Sequence, residues 1–145
     1  MARSDFSFVH TLRVRWAEVD MQAIVFNGHY LTYFDVAFTE YWRATGLPDV
    51  IAQAAAGQEM FARKATVEYH APARFDDLLS IAVRCAALGR SSMRFLLEIY
   101  RGEEHLVSGE LVYVYADASA RKGVPVPEDW RARLCALEAT APAVA

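Results

Sequence analysis

Asp20 closes a strand-like segment, and seven residues later Asn27-Gly28 leads into a strongly apolar helical run. Asn-Gly is a turn dipeptide that suits the entry to a helix. The first turn of a helix carries backbone N–H groups without internal partners and a partial positive charge, so it can hold a developing oxyanion. An acid beside such a point has the minimum equipment for opening an acyl bond with water. Ala23-Ile24-Val25-Phe26, directly after the acid, predicts a buried loop, and a buried carboxylate needs partners or a task. Other acids are placed differently. Asp35 and Glu40 fall on the polar side of the helix, and Glu18 alternates away from Asp20 and is expected in solvent. His29, beside the helix start, titrates in a useful range for acid–base work, but packing beside a pocket suits it equally. His10, His70 and His105 have no metal-ligand spacing, and no metal is expected.

The elements that must position these groups follow from periodicity. Phe6, Phe8, His10, Leu12, Val14 and Trp16 alternate with more polar residues, which predicts a half-buried strand. From about Tyr30 to Thr45, Leu31, Phe34, Ala37, Phe38, Tyr41 and Trp42 recur at helical spacing. Tyr33 and Val36 widen that stripe, so the helix is expected to be enclosed on more than one side. Gly46 supplies a stop, and Pro48 opens a short second helix through Ala56. Alternation then marks strands over Phe61–Tyr69, Leu79–Cys85, Met93–Ile99 and Leu106–Ala116, joined largely by hairpins, before a Pro127-initiated helix. A helix inserted after the first strand of such a series implies an α+β fold with an antiparallel sheet, one edge of which is open to a second copy.

The 145 residues are expected to form one domain over 1–145, and 54% hydrophobic residues supply its core. No apolar run is long enough for a membrane span and no signal pattern opens the chain, so the cytoplasm is expected. A net charge of −3 argues against nucleic acid. Cys85 and Cys135 match no metal or redox spacing and are both expected as small core residues. Arg90-Ser91-Ser92 forms a polar hairpin suited to phosphate oxygens, and Arg121-Lys122 offers a second basic pair.

Arg15-Trp16-Ala17-Glu18-Val19-Asp20-Met21-Gln22-Ala23-Ile24-Val25-Phe26-Asn27-Gly28-His29-Tyr30-Leu31 resembles the signature of hotdog-fold acyl-CoA thioesterases, above all the 4-hydroxybenzoyl-CoA thioesterase branch with its Tol-Pal-associated members. The likeness continues through Tyr33-Phe34-Asp35, Tyr69-His70-Ala71-Pro72-Ala73-Arg74-Phe75-Asp76-Asp77 and Gly89-Arg90-Ser91-Ser92, spanning roughly Leu12 to Ala116. It implies an antiparallel sheet of about five strands wrapped around a long central helix. It also implies that Asp20 is the catalytic base or nucleophile, with the backbone N–H of Asn27, beside the Gly28 backbone, polarising the thioester carbonyl. Candidate acyl-group contacts are Phe26, His29, Tyr30 and Phe34, with Trp16, Phe38 and Tyr41 as further aromatics; Arg90, Ser91 and Ser92 are candidates for the coenzyme end. Where the family carries Gly, this chain has Ala23, which is strained if that position needs positive φ. The expected activity is hydrolysis of a short, medium or aromatic acyl-CoA by a homodimer or homotetramer. Coenzyme A enters as part of the substrate, and no separate cofactor is expected. An acyl-thioester hydratase or dehydratase using His29 with Asp20, and a non-catalytic acyl-CoA-binding dimer, are the alternatives.

Overall fold

The computed structural model describes residues 3–144, without the side chain of Ser4. Five long strands form one sheet in the order β1-β3-β4-β5-β2: β1 Phe8–Arg13, β2 Gln58–Tyr69, β3 Leu78–Leu88, β4 Ser92–Arg101 and β5 Glu104–Asp117. Their pairings are all antiparallel. Two-residue strands extend it, β6 Lys122–Gly123 on β5 and β7 Ala143–Val144 parallel to the end of β3. The helices are α1 His29–Thr45, α2 Val50–Ala55 and α3 Glu128–Leu137. The α+β arrangement, a long helix against a mainly antiparallel sheet, is the one the resemblance implies.

Only part of the series is a meander. β3, β4 and β5 follow one another by hairpins, but β2 pairs with β5 at the far edge, so the chain crosses the sheet between β2 and β3. Alternation reports which face of a strand is buried and carries no information on which strand is its neighbour. Among the described residues the 12-residue β2 has β5 as its one strand partner, and its middle residues are exposed.

α1 ends where Gly46 takes φ 72° and donates its N–H to the Arg43 carbonyl, a left-handed stop that glycine adopts without strain. α2 begins two residues later than Pro48 suggested, because the Asp49 side chain caps it by accepting the Ala52 N–H. α1 turns Tyr30, Tyr33, Phe34, Ala37, Phe38, Tyr41 and Trp42 into the core. Burying one such ring contributes roughly 2–3 kcal/mol. The helix comes closest to the sheet at Gly109, where an added Cβ would lie 2.1 Å from the Phe34 ring and 3.0 Å from the Thr66 carbonyl. Leu31 and Val36 remain exposed, while beyond the sheet α1 also meets α3 through Trp42 and Trp130, Glu138 through the Tyr41 hydroxyl and Glu18 through the Tyr33 hydroxyl. Cys85 is buried, whereas Cys135 is exposed because it lies on the outer side of α3, away from the inward Trp130 and Leu134. Trp16 leaves the strand pattern in a 3-10 turn over Trp16–Glu18 and stands exposed, its ring edge-on to Phe75.

Candidate active site

β1 hands the chain to a short, hydrogen-bonded loop unit. Val14 exchanges main-chain bonds with Asp77 and Asp76, at 2.9 and 3.2 Å, which anchors the exit of the strand. Val19 then pairs with Val25, the Asp20 N–H donates to the Ile24 carbonyl, and the Ala23 N–H donates back to the Asp20 carbonyl, both at 2.9 Å. Asp20–Ala23 is therefore a tight reversal at the tip of a miniature ladder. Ala23 adopts φ 60°, the left-handed conformation that glycine would take without cost. Val25 N–H to Ala73 and Phe75 N–H to Ala23 sew the unit onto the segment before β3.

Asp20 itself is exposed, and its Oδ1 accepts the Gln22 N–H at 2.8 Å. Among the described residues no cation pairs with it. Of the run behind it, Val25 is buried and Ile24 half-buried, but Ala23 and Phe26 are exposed, which corrects the buried loop. The ladder is responsible: its backbone bonds are satisfied within the loop and against residues 73–75, so the tip needs no cover.

The buried acid is Glu18, 7% exposed, and not the solvated residue that strand alternation predicts. The 3-10 turn rotates its side chain inward. Its carboxylate accepts the Arg15 backbone N–H at 2.8 Å, the Arg15 guanidinium at 2.6 and 3.0 Å, and the Tyr33 hydroxyl at 2.9 Å. Burial pushes the Glu18 pKa up, but these bonds outweigh it and hold the carboxyl below the usual range. The Tyr33 hydroxyl is pushed up in turn, by burial and then by its bond to that carboxylate. Through its own carbonyl Glu18 also accepts the Phe26 N–H at 3.0 Å, so one residue ties the loop to α1 and to the helix entry.

Past the ladder, Asn27 and Gly28 precede α1. Among the described residues neither of their N–H groups has a backbone or side-chain acceptor, whereas the His29 N–H bonds to the Phe26 carbonyl. The Asn27 carbonyl accepts the Tyr69 hydroxyl at 3.1 Å, and the buried Tyr30 hydroxyl accepts the Ala73 N–H at 3.0 Å. Together they frame an open cleft of about 350 Å³ lined by Ile24, Val25, Asn27, Tyr30, Tyr69 and His70, with Ala71 and Pro72 beyond. Tyr69 and His70 are not among the site candidates read from the sequence, although they belong to the family likeness; they come to the cleft because β2 ends beside the helix entry.

The remaining candidates divide. His29 is half-buried with its ring edge-on to Phe26, and it makes no hydrogen bond to Asp20. Phe34 is wholly enclosed over Gly109 and belongs to the core, which corrects its assignment as an acyl contact; Tyr41 is likewise at 0% exposure. Arg90, Ser91 and Ser92 turn β3 into β4 at the Leu88–Met93 end, seven residues along β3 from the Ile81–Ile99 row that lies level with Tyr69 and Val107. That is roughly 23 Å of strand, so within one chain this hairpin does not meet the cleft. Lys122 and Arg121 sit near that same end, by β6. Asp35 is exposed and Glu40 pairs with Arg43, as surface residues of α1. His70 and His105 bring their rings within 4.8 Å of each other, yet the described residues contain no cluster of three metal-ligating side chains. No described helix is long and apolar enough to cross a membrane.

Residues 22–108 match the family model described as the thioesterase superfamily. The chain is 30% identical over 118 residues to the acyl-CoA thioester hydrolase YbgC of Escherichia coli O6:H1, covering 81% of this chain and 87% of that one. A thioesterase from Thermus thermophilus, solved with coenzyme A and Zn, superposes with a TM-score of 0.81 at 26% identity, covering 94% of this chain and 97% of that one. A 1,4-dihydroxy-2-naphthoyl-CoA thioesterase from Synechocystis shares the fold, with a TM-score of 0.82 at 20% identity over 88% of this chain and 95% of that one. With a family match over more than half its length and a relative of this similarity, the chain belongs to the thioesterase superfamily, as a hotdog-fold thioester hydrolase.

Proposed function

We propose that the protein hydrolyses an acyl-CoA thioester to the free acid and coenzyme A, with Asp20 as general base or nucleophile. The observation that carries this reading is the N–H of Asn27, unpartnered among the described residues as is that of the adjacent Gly28, at a cleft that Asn27 lines and that adjoins the loop bearing an exposed carboxylate. The thioester carbonyl lies against the Asn27 N–H, and water or Asp20 itself adds to the carbon. One well-placed oxyanion donor is worth about 3 kcal/mol of barrier, and a general base roughly 10²–10⁴ in rate. No separate cofactor enters these steps, and we place the enzyme in the cytoplasm. His29 packs edge-on to Phe26 and, among the described residues, makes no hydrogen bond to Asp20, which favours hydrolysis over an acid–base hydratase.

The open β2 edge supports a homodimer made by antiparallel pairing of β2 with a second copy. Such pairing reverses the strand ends, so the Arg90–Ser92 hairpin of the second copy comes to the cleft side of this chain and can meet coenzyme phosphates. Light scattering after size exclusion reads the assembly. The activity is tested with short, medium, long and aromatic acyl-CoAs and free-thiol detection. Wild type releases thiol from at least one class, and Asp20→Ala loses at least 100-fold in kcat with its circular dichroism unchanged. An Asp20→Ala enzyme as fast as wild type would sink the assignment, and binding without turnover across the panel would leave an acyl-CoA-binding dimer.

A further inference from the structure

The two N–H groups at the entry to α1 belong to different peptide units, and the two units are held differently. The His29 N–H reaches back to the Phe26 carbonyl at 3.0 Å, and Gly28 lies at φ −67°, ψ −22°. The turn over Asn27-Gly28 thus has the sense of a right-handed helix, and both N–H groups project off the N-terminal end of α1. Among the described residues no peptide bond is cis, and in a trans peptide the C=O and N–H are coplanar and point opposite ways. The Phe26 carbonyl, and with it the Asn27 N–H, is fixed through the main chain of His29. The Asn27 carbonyl, and with it the Gly28 N–H, is held chiefly by a side chain. It accepts the Tyr69 hydroxyl at 3.1 Å and the Tyr30 N–H at a longer 3.4 Å.

Tyr69 is the last residue of β2, opposite Val107 of β5, so the sheet fixes where its hydroxyl stands. Its ring meets Tyr30 edge-on, with centroids 5.5 Å apart. That packing needs only the ring. At 54% exposure Tyr69 is open to water, so burial does not force its hydroxyl onto a protein acceptor. A donor on a carbonyl also polarises the amide and makes the N–H at its other end a stronger donor.

We propose that Tyr69 is a positioning residue for hydrolysis: its hydroxyl, by holding the Asn27 carbonyl, aims and polarises the Gly28 N–H as a second donor to the thioester oxygen, beside that of Asn27. This rests on the hydrolytic reading. The oxygen gains charge as the carbon is attacked, so such a donor acts on the transition state more than on bound substrate. Tyr69→Phe keeps the ring and removes the hydroxyl. On an acyl-CoA that wild type hydrolyses, kcat should fall roughly three- to tenfold, with KM within about twofold. In spectra of the free ¹⁵N-labelled proteins, the Gly28 amide nitrogen should move upfield, having lost the hydrogen bond on the preceding carbonyl, while that of Asn27 stays in place. A Tyr69 that only packs β2 against α1 would leave kcat and both resonances unchanged in the variant. One that touches substrate directly would raise KM with the Gly28 resonance unmoved. Either result, or a fall in kcat without the Gly28 shift, would overturn the proposal. A wild type that releases no thiol from any acyl-CoA defeats the hydrolytic reading and this proposal together, whereas wild-type turnover that Tyr69→Phe leaves intact defeats this proposal alone.

Discussion

Ala23→Gly should stabilise this protein, although it removes a side chain and adds freedom to the unfolded chain. Ala23 holds φ 60° at the tip of the Asp20 loop, where a Cβ crowds the carbonyl and costs about 1–2 kcal/mol. Glycine removes that strain but adds about 0.4–1 kcal/mol of unfolded-state entropy. The net gain is about 0.5–1 kcal/mol, or a melting temperature higher by roughly 1–4 °C in a domain of this size. The contacts of the reversal are main-chain: Asp20 N–H to Ile24, Ala23 N–H to Asp20 and Phe75 N–H to Ala23. Glycine keeps all of them, so kcat should stay within about twofold of wild type. Ala23→Val is the opposing control, because a β-branched residue at positive φ is a pronounced outlier, and it should lose at least 1 kcal/mol. Urea unfolding of the three proteins side by side reads these differences at constant m-value. An Ala23→Gly protein less stable than wild type by more than about 0.5 kcal/mol would refute the left-handed assignment and the strain derived from it.

Gly109→Ala should lower stability by about 1–3 kcal/mol, because its Cβ meets the Phe34 ring and the Thr66 carbonyl at once; the urea midpoint reports it. Burial raises the Glu138 pKa, opposed by its bonds from the Tyr41 hydroxyl and the Cys85 N–H and by nearby Arg84. The folded state thus favours its protonated form, so its contribution is full in acid below the unfolded value and is lost as pH rises through the raised folded value. Glu138→Gln should therefore flatten this loss and raise the urea midpoint at pH 8 relative to wild type, leaving pH 4 little changed. Glu18 behaves oppositely: its lowered folded pKa gives stability that is full above the unfolded value and is lost as pH falls through the folded value. Glu18→Gln should lower stability at pH 7 by about 1 kcal/mol and flatten the acid limb between pH 5 and 3, read by urea unfolding across that range.

What the sequence makes legible depends on where each side chain's partners lie. The α1 stripe and the alternating strands can be read because burial by a neighbouring element imposes the period itself. The position of β2 beside β5 cannot, since its pattern would be the same at any place in the sheet. Arg90-Ser91-Ser92 has the composition of a phosphate contact, yet only the strand register reveals that it lies at the other end of the sheet. The helix entry at Asn27-Gly28 is legible for a different reason, in that a turn dipeptide directly before the apolar stripe marks where the helix begins.

Glu18 and Asp20 show the same limit within three residues. The sequence puts Glu18 in solvent and Asp20 on a buried loop, and the structure reverses both: the 3-10 turn breaks the strand count, and Tyr33, fifteen positions on, supplies the hydroxyl that makes burial of Glu18 tolerable. The two carboxylates thereby separate in role. Glu18 has its lone pairs occupied by Arg15 and Tyr33, so it is a poor base but a firm anchor for the loop and the helix entry. Asp20 accepts one backbone N–H and is otherwise open, which leaves it free to meet water or an acyl carbon. In the proposed reaction, anchor and reactive group are therefore different residues, because a carboxylate that has given its lone pairs to structure has none left for chemistry.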